Sequence, residues 1–106
     1  MVKLMFSVNQ KRIFAEMINQ TKLCLQNTNP QSHEAKVKCE TALFSDLDGY
    51  TYHTHPNGTP EPSDIDIRTT ARHKKKYLAI GLVPQNEVIV WGEYPHYNRI
   101  ITRFKL

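Results

Sequence analysis

The sequence predicts a small α/β protein: one domain with a mixed β-sheet flanked by helices. Three observations carry that expectation. The length, 106 residues, suits a single domain spanning residues 1–106. Apolar residues recur at helical spacing in one early stretch, while later stretches have the aromatic and β-branched content of strands. These stretches follow one another as helix, hairpin, helix and further strands, the order of a layered α/β protein.

Residues 2–6 read as a short opening strand. From Asn9, a plausible N-cap, the spacing turns helical: Ile13, Phe14, Met17, Ile18, Thr21 and Leu25 share one face. Asn27, Thr28, Asn29 and Pro30 form a stop signal. Residues 35–44 alternate, with Ala35, Val37, Cys39, Thr41 and Leu43 on one side. The turn formers at 45–49 and the β-prone run at 50–55 complete a hairpin. Residues 56–62 hold three prolines and a glycine and exclude regular structure. Ser63 and Asp66 have the form of a helix N-terminal cap, and the helix is expected to run to about Lys76. Residues 77–83, 87–91 and 98–104 read as strands, with a turn at Pro84, Gln85 and Asn86.

Composition narrows the function classes. Hydrophobic residues make up 40 % and charged residues 23 %, a globular balance that excludes a disordered chain. No apolar stretch reaches the length of a membrane span, and residues 1–6 are too short for a signal-peptide core, so a soluble cytoplasmic protein is expected. Cys24 and Cys39 form no C-x-x-C pair, which argues against a cysteine zinc site. Two reduced thiols are the simpler reading, with one disulfide left open. The net charge of +4 is partly local, because His73, Lys74, Lys75 and Lys76 run together. A solvated helix end accounts for that run, and a nucleic-acid patch is the alternative. His33, His73 and His96 lack partners at ligand spacing and read as surface residues. Trp91 reads as core or edge packing, and residues 92–97 as a loop without a role.

His53 and His55 stand two apart, which on a strand puts both imidazoles on one face. They lie at the strand's end, before the proline-rich loop. Asp66 follows eleven residues after His55, in the first turn of the next helix. Two imidazoles and one carboxylate form a three-point metal site that leaves the fourth position for water, the form of a catalytic zinc site. The H-x-H pattern alone is more often two ordinary surface or core histidines than a metal site.

The longer string is more specific. His53-Thr54-His55-Pro56, then Ser63, then Asp66 resembles the H-x-H-P-x6-S-x2-D signature of the JAMM (MPN+/JAB) zinc metalloprotease family, with every gap matched. The stretch from His55 to Ser63 also resembles the JAB domains of RadC-type proteins. The resemblance is tight over about 14 residues and loose over the order of elements. It implies a JAB/MPN-like fold with cytidine-deaminase-like layering. It also implies Zn2+ on His53, His55 and Asp66, and a zinc-dependent hydrolase that cuts a peptide or isopeptide bond.

In that family Ser63 would hydrogen-bond the polarised carbonyl or its oxyanion, a part that needs a geometry different from a plain N-cap. A glutamate outside the motif would relay the proton. Glu40 and Glu34 are the two candidates. If the hairpin turns within 46–49, paired positions sum to about 95 and Glu40 faces His55; Glu34 suits the order of elements instead. The plainer account of both is an exposed strand charge. The substrate implied is a peptide or a ubiquitin-like protein conjugate. The alternative is a non-catalytic or RadC-like module that binds nucleic acid or protein. A zinc nucleobase deaminase is disfavoured, because neither H-x-E nor P-C-x-x-C occurs.

Overall fold

The period-2 alternation of an extended chain decides this architecture, because successive side chains of one strand enter two different layers. The structure, a computed structural model, describes residues 6–27, 39, 45–47 and 49–106. Its elements are α1 (Val8–Asn27), β1 (Ser45–Leu47), β2 (Tyr50–His55), α2 (Asp64–Arg72), β3 (Tyr77–Leu82), β4 (Glu87–Gly92) and β5 (Arg99–Lys105). The five strands form one sheet in the order β1-β2-β3-β4-β5. β2 and β3 are parallel, with α2 as their crossover, and the other pairs are antiparallel. A small mixed-sheet α/β fold is therefore what the chain adopts.

All six residues of β2 are buried, so both sheet faces are covered. Tyr50 and Tyr52 join Tyr77, Ala79, Val88 and Val90 in one core with Phe14 and Met17 of α1. Leu78, Ile80, Leu82, Ile89 and Tyr97 form a second core, against which Ile67 and Ala71 of α2 pack. The strand register lines these sets up: Tyr52 pairs with Ala79, which pairs with Val90, while His53 pairs with Ile80, which pairs with Ile89.

Each helix is stapled to β2 by a pair of threonines. Thr21 donates its hydroxyl to the Met17 carbonyl at 2.9 Å, so Thr54, 2.6 Å away, is the donor to Thr21. On the other side Thr70 donates to the Asp66 carbonyl at 2.7 Å and accepts from Thr51 at 2.7 Å. Bonding back to the i−4 carbonyl is an ordinary use of a helical threonine. Here it leaves the oxygen free to accept from the strand.

Several expected boundaries move. The cap of α1 is Ser7 rather than Asn9: Ser7 Oγ accepts from Gln10 N at 3.1 Å, and Ser7 N donates to Gln10 Oε1 at 2.8 Å. This reciprocal pair is a capping box, and it outcompetes Asn9, which becomes part of the helix. α2 stops at Arg72 rather than near Lys76. Lys74 takes φ 54, its N–H bonds the Ala71 carbonyl, and the Lys75 N–H bonds the Thr70 carbonyl. That is a Schellman ending with lysine where glycine is usual, so the sequence carries no stop signal. The basic run is a helix end, with His73, Lys74 and Lys76 exposed.

A hairpin is present, but its first strand, Ser45–Leu47, falls where the turn was expected, and its register differs too. Ser45 pairs with Tyr52 and Leu47 with Tyr50, so paired positions sum to 97 rather than 95. Within the expected strand at 35–44, only Cys39 is described, and it is helical, not extended. It is also disulfide-bonded to Cys24, with Cα atoms 5.8 Å apart, which replaces the reading of two reduced thiols. The expected opening strand at 2–6 lies outside the described residues except for Phe6, whose ring packs edge-on against Phe14 and Tyr50. Among the described residues, no helix is long and apolar enough to cross a membrane.

Candidate metal centre

β2 ends at His55, and α2 begins at Asp64, so the site sits where a parallel strand's carboxyl end meets the next helix's N-terminus. Ligands gather at that place in α/β sheets. His53 and His55 occupy alternate positions of β2 and so face the α2 layer together. Asp66 is the third residue of the helix, in the turn whose N–H groups favour a carboxylate.

The helix start is fixed locally. Ser63 Oγ accepts from Asp66 N at 3.2 Å, and Ser63 N donates to Asp66 Oδ2 at 2.9 Å. This capping box does two things at once: it starts the helix and aims the Asp66 carboxylate back at the strand. Oδ1 then lies 2.9 Å from His53 Nε2, and Oδ2 lies 3.1 Å from His55 Nε2. The two Nε2 atoms are 2.9 Å apart. His53 is 2 % exposed, His55 4 % and Asp66 7 %.

The tautomer of His55 follows from its other nitrogen. Nδ1 lies 2.5 Å from the Thr59 carbonyl, which can only accept, so Nδ1 carries the hydrogen. That leaves Nε2 as the nitrogen that faces the cluster, the one that could serve as a metal ligand. Burial alone would raise the Asp66 pKa. Hydrogen bonds from His53 and His55, the His53 charge and the Ser63 N–H outweigh it, and they hold the carboxyl well below the usual carboxylate range.

These three residues can hold a metal ion: one ligand atom from each lies within 4.8 Å of the others. Tetrahedral ligand atoms on bonds of about 2.0–2.2 Å stand about 3.3–3.5 Å apart. The observed spacings of 2.9 and 3.1 Å need only a small expansion to accept the ion in place of shared protons. Two imidazoles and one carboxylate leave the fourth corner open.

His55 also lines a cleft of about 290 Å³, together with Asn57, Thr59, Glu61, Pro62 and Ser63. Ser63 is thus both the α2 cap and a cleft residue. Accepting from Asp66 N still leaves its own O–H as a donor. Glu34 and Glu40 lie outside the described residues. Two described acids share this side of the molecule. Glu61 is exposed and lines the cleft. Glu87 shares His55's sheet face through Leu82, two strands and about 10 Å away. It is bound to Arg103 at 2.7 Å.

The sequence brought out His53, His55, Asp66 and Ser63, and the structure gathers all four. It did not bring out Thr59, whose contribution is a carbonyl that any residue carries. Nor did it bring out Glu61, although that acid lies within the six-residue gap of the motif. Tyr97, in a loop given no role, is buried and donates to the Lys75 carbonyl, beneath the end of α2. Comparisons with protein-family models, with curated proteins and with solved structures give no match to this chain.

Proposed function

We propose that this chain is a JAMM-type zinc hydrolase with a JAB/MPN-like fold, cutting a peptide or isopeptide bond in a peptide or a ubiquitin-like conjugate. The observation that carries the reading is the buried convergence of His53, His55 and Asp66 beside an open cleft, on residues whose spacing matches that signature. The chemistry zinc supplies when bound is Lewis acidity toward a carbonyl and a lowered pKa for a water.

The chain's own residues supply the rest. His55 is oriented through Thr59, and Asp66 is aimed by its own helix cap. Ser63 offers its hydroxyl proton to an oxygen that gains negative charge in the cleft, a donor placed before the reaction begins. Proton transfer to the leaving amine needs a carboxylate. Glu40 and Glu34 are the candidates from the family pattern, and Glu61 is the acid that lines the cleft. The basic run at the end of α2 has a structural account in the helix ending, so it adds no weight to a nucleic-acid role.

Purified protein should retain one zinc per chain after dialysis, and His53→Ala should lose it. A peptide or ubiquitin-like fusion should be cleaved by the wild type and not by His53→Ala. Among Glu40→Gln, Glu34→Gln and Glu61→Gln, the one that abolishes cleavage with zinc retained identifies the base. Absence of stoichiometric zinc, or cleavage indifferent to chelation, overturns the proposal.

A further inference from the structure

The two halves of the metal site are joined by residues 56–63, a stretch with prolines at 56, 60 and 62 and no regular structure. Proline offers no N–H, so such a loop makes few bonds to itself and is held by donors from elsewhere. Three consecutive carbonyls of this loop accept hydrogen bonds, each from a different part of the sheet. Gly58 O accepts from Gln85 Nε2 at 3.0 Å, Thr59 O from His55 Nδ1 at 2.5 Å, and Pro60 O from Trp91 Nε1 at 2.9 Å. The middle donor is a candidate metal ligand. The outer two come from the β3–β4 turn and from β4.

We propose that Trp91 and Gln85 are positioning residues of the metal site: by pinning the carbonyls of Pro60 and Gly58, they set the Thr59 carbonyl that orients the His55 ring. The proposal rests on the metal-centre reading above. With the peptide planes on both sides fixed, the plane bearing the Thr59 carbonyl has little freedom to turn away from Nδ1. His55 then keeps Nε2 toward Asp66, and the ligand set is formed before the ion arrives.

Independent features converge on Trp91. It is the chain's single tryptophan. The β4–β5 register slips between Val90 and Trp91: Val90 pairs with Thr102 and Trp91 with Ile100, so Ile101 falls between. Such bulges re-aim side chains and occur often beside active sites. The indole packs on the core that also takes Ile67 and Ala71 of α2, the helix that carries Asp66. One rigid ring thus touches the packing of the third ligand's helix and bonds the loop that orients the second ligand. At the other anchor, Gly58 has φ +78, and a Cβ there would lie 2.5 Å from Gln85 Oε1. The Gln85 amide closes over this glycine, whose backbone conformation an L side chain rarely adopts.

The test measures zinc affinity by chelator competition, and the absorption spectrum of the cobalt-loaded protein, in Trp91→Phe and Gln85→Ala. Phenylalanine keeps an aromatic ring and loses the N–H. Gln85 is an exposed turn residue, so its variant folds even if Trp91→Phe does not. Each variant should bind zinc about 10- to 100-fold more weakly and alter the cobalt bands, as loss of an orienting partner does. Ile89→Val, a change in the same core, should lower stability and leave affinity and spectrum unchanged. Wild-type zinc affinity and cobalt bands in both variants overturn this proposal alone. Failure of the wild type to bind zinc overturns the metal centre and the clamp together.

Discussion

The two faces of β2 are built from the same strand and the same threonine staple, yet one is a packed core and the other is a site. Toward α1, Tyr50 and Tyr52 meet aromatic and aliphatic side chains, and Thr54 bonds Thr21. The Tyr52 hydroxyl donates to the Phe14 carbonyl at 3.0 Å, and its ring centroid lies 4.6 Å from that of Phe14. Toward α2, Thr51 makes the matching staple, but His53 and His55 take the places of the two tyrosines' outer neighbours and meet a carboxylate. A hydrophobic face stabilises through buried area and fit. A buried polar face is tolerable only when every group finds a partner, and replacement of a polar cluster by apolar residues often costs nothing. On the proposed reading the α2 face keeps its histidines for the metal, whereas the α1 face keeps its tyrosines for stability.

The largest effect that tests this contrast is Tyr52→Ala, which should cost about 3–5 kcal/mol, as truncation of a large buried aromatic does. Urea unfolding measures the loss, and zinc stoichiometry should be unchanged wherever the variant is folded. Loss of zinc with the fold intact would show that the faces are not independent. Next is the response of the wild type to the ion itself. At 100-fold excess over Kd, zinc should add about 2.7 kcal/mol. In a domain of this size that raises Tm by roughly 10 °C or more, and His53→Ala should show no rise.

A smaller effect is expected at Gly81, which lies against Tyr52 on the α1 face. A Cβ there would overlap the Tyr52 hydroxyl and sit 3.1 Å from its Cζ and 3.2 Å from Ile18 Cγ1. Gly81→Ala should cost about 1–3 kcal/mol by overpacking, measured by thermal melting of the metal-free protein, and leave zinc affinity alone.

Alkaline pH sharpens the comparison from the α2 side. Burial, aided by Tyr94, pushes the Tyr97 phenol up to about 12. The folded state thus holds that proton more tightly than the unfolded chain does, where a tyrosine titrates near 10. Its contribution is complete below about pH 10 and is lost as pH rises toward 12. Denaturant unfolding across that window should show a shallower decline in Tyr97→Phe than in the wild type. The smallest effect lies away from β2. Arg103→Ala breaks a partly exposed pair with Glu87 on the outer strand and should leave the urea midpoint nearly unchanged.

Much of this was legible because it is local. The α1 face follows from spacing: Phe14, Met17, Ile18 and Thr21 are the residues the structure buries. Strands at 77–83, 87–91 and 98–104 fall within a residue or so of β3, β4 and β5. The His53, His55 and Asp66 set follows from alternation along a strand and from a capping box that aims a carboxylate. Both are short-range rules. Glu34 and Glu40, which depend on how the chain enters β1, lie outside the described residues.

What the sequence determined by itself is therefore most of the described elements and the identity of the convergent residues, because periodicity and caps act over a few residues. Tertiary structure alone decided the hairpin register, the lysine that ends α2, the Cys24–Cys39 bond and the hold of Trp91 and Gln85 on the loop. Each of these depends on partners supplied by packing: a carbonyl accepts from whatever donor the fold brings near, and nothing in a carbonyl's own residue type records that choice.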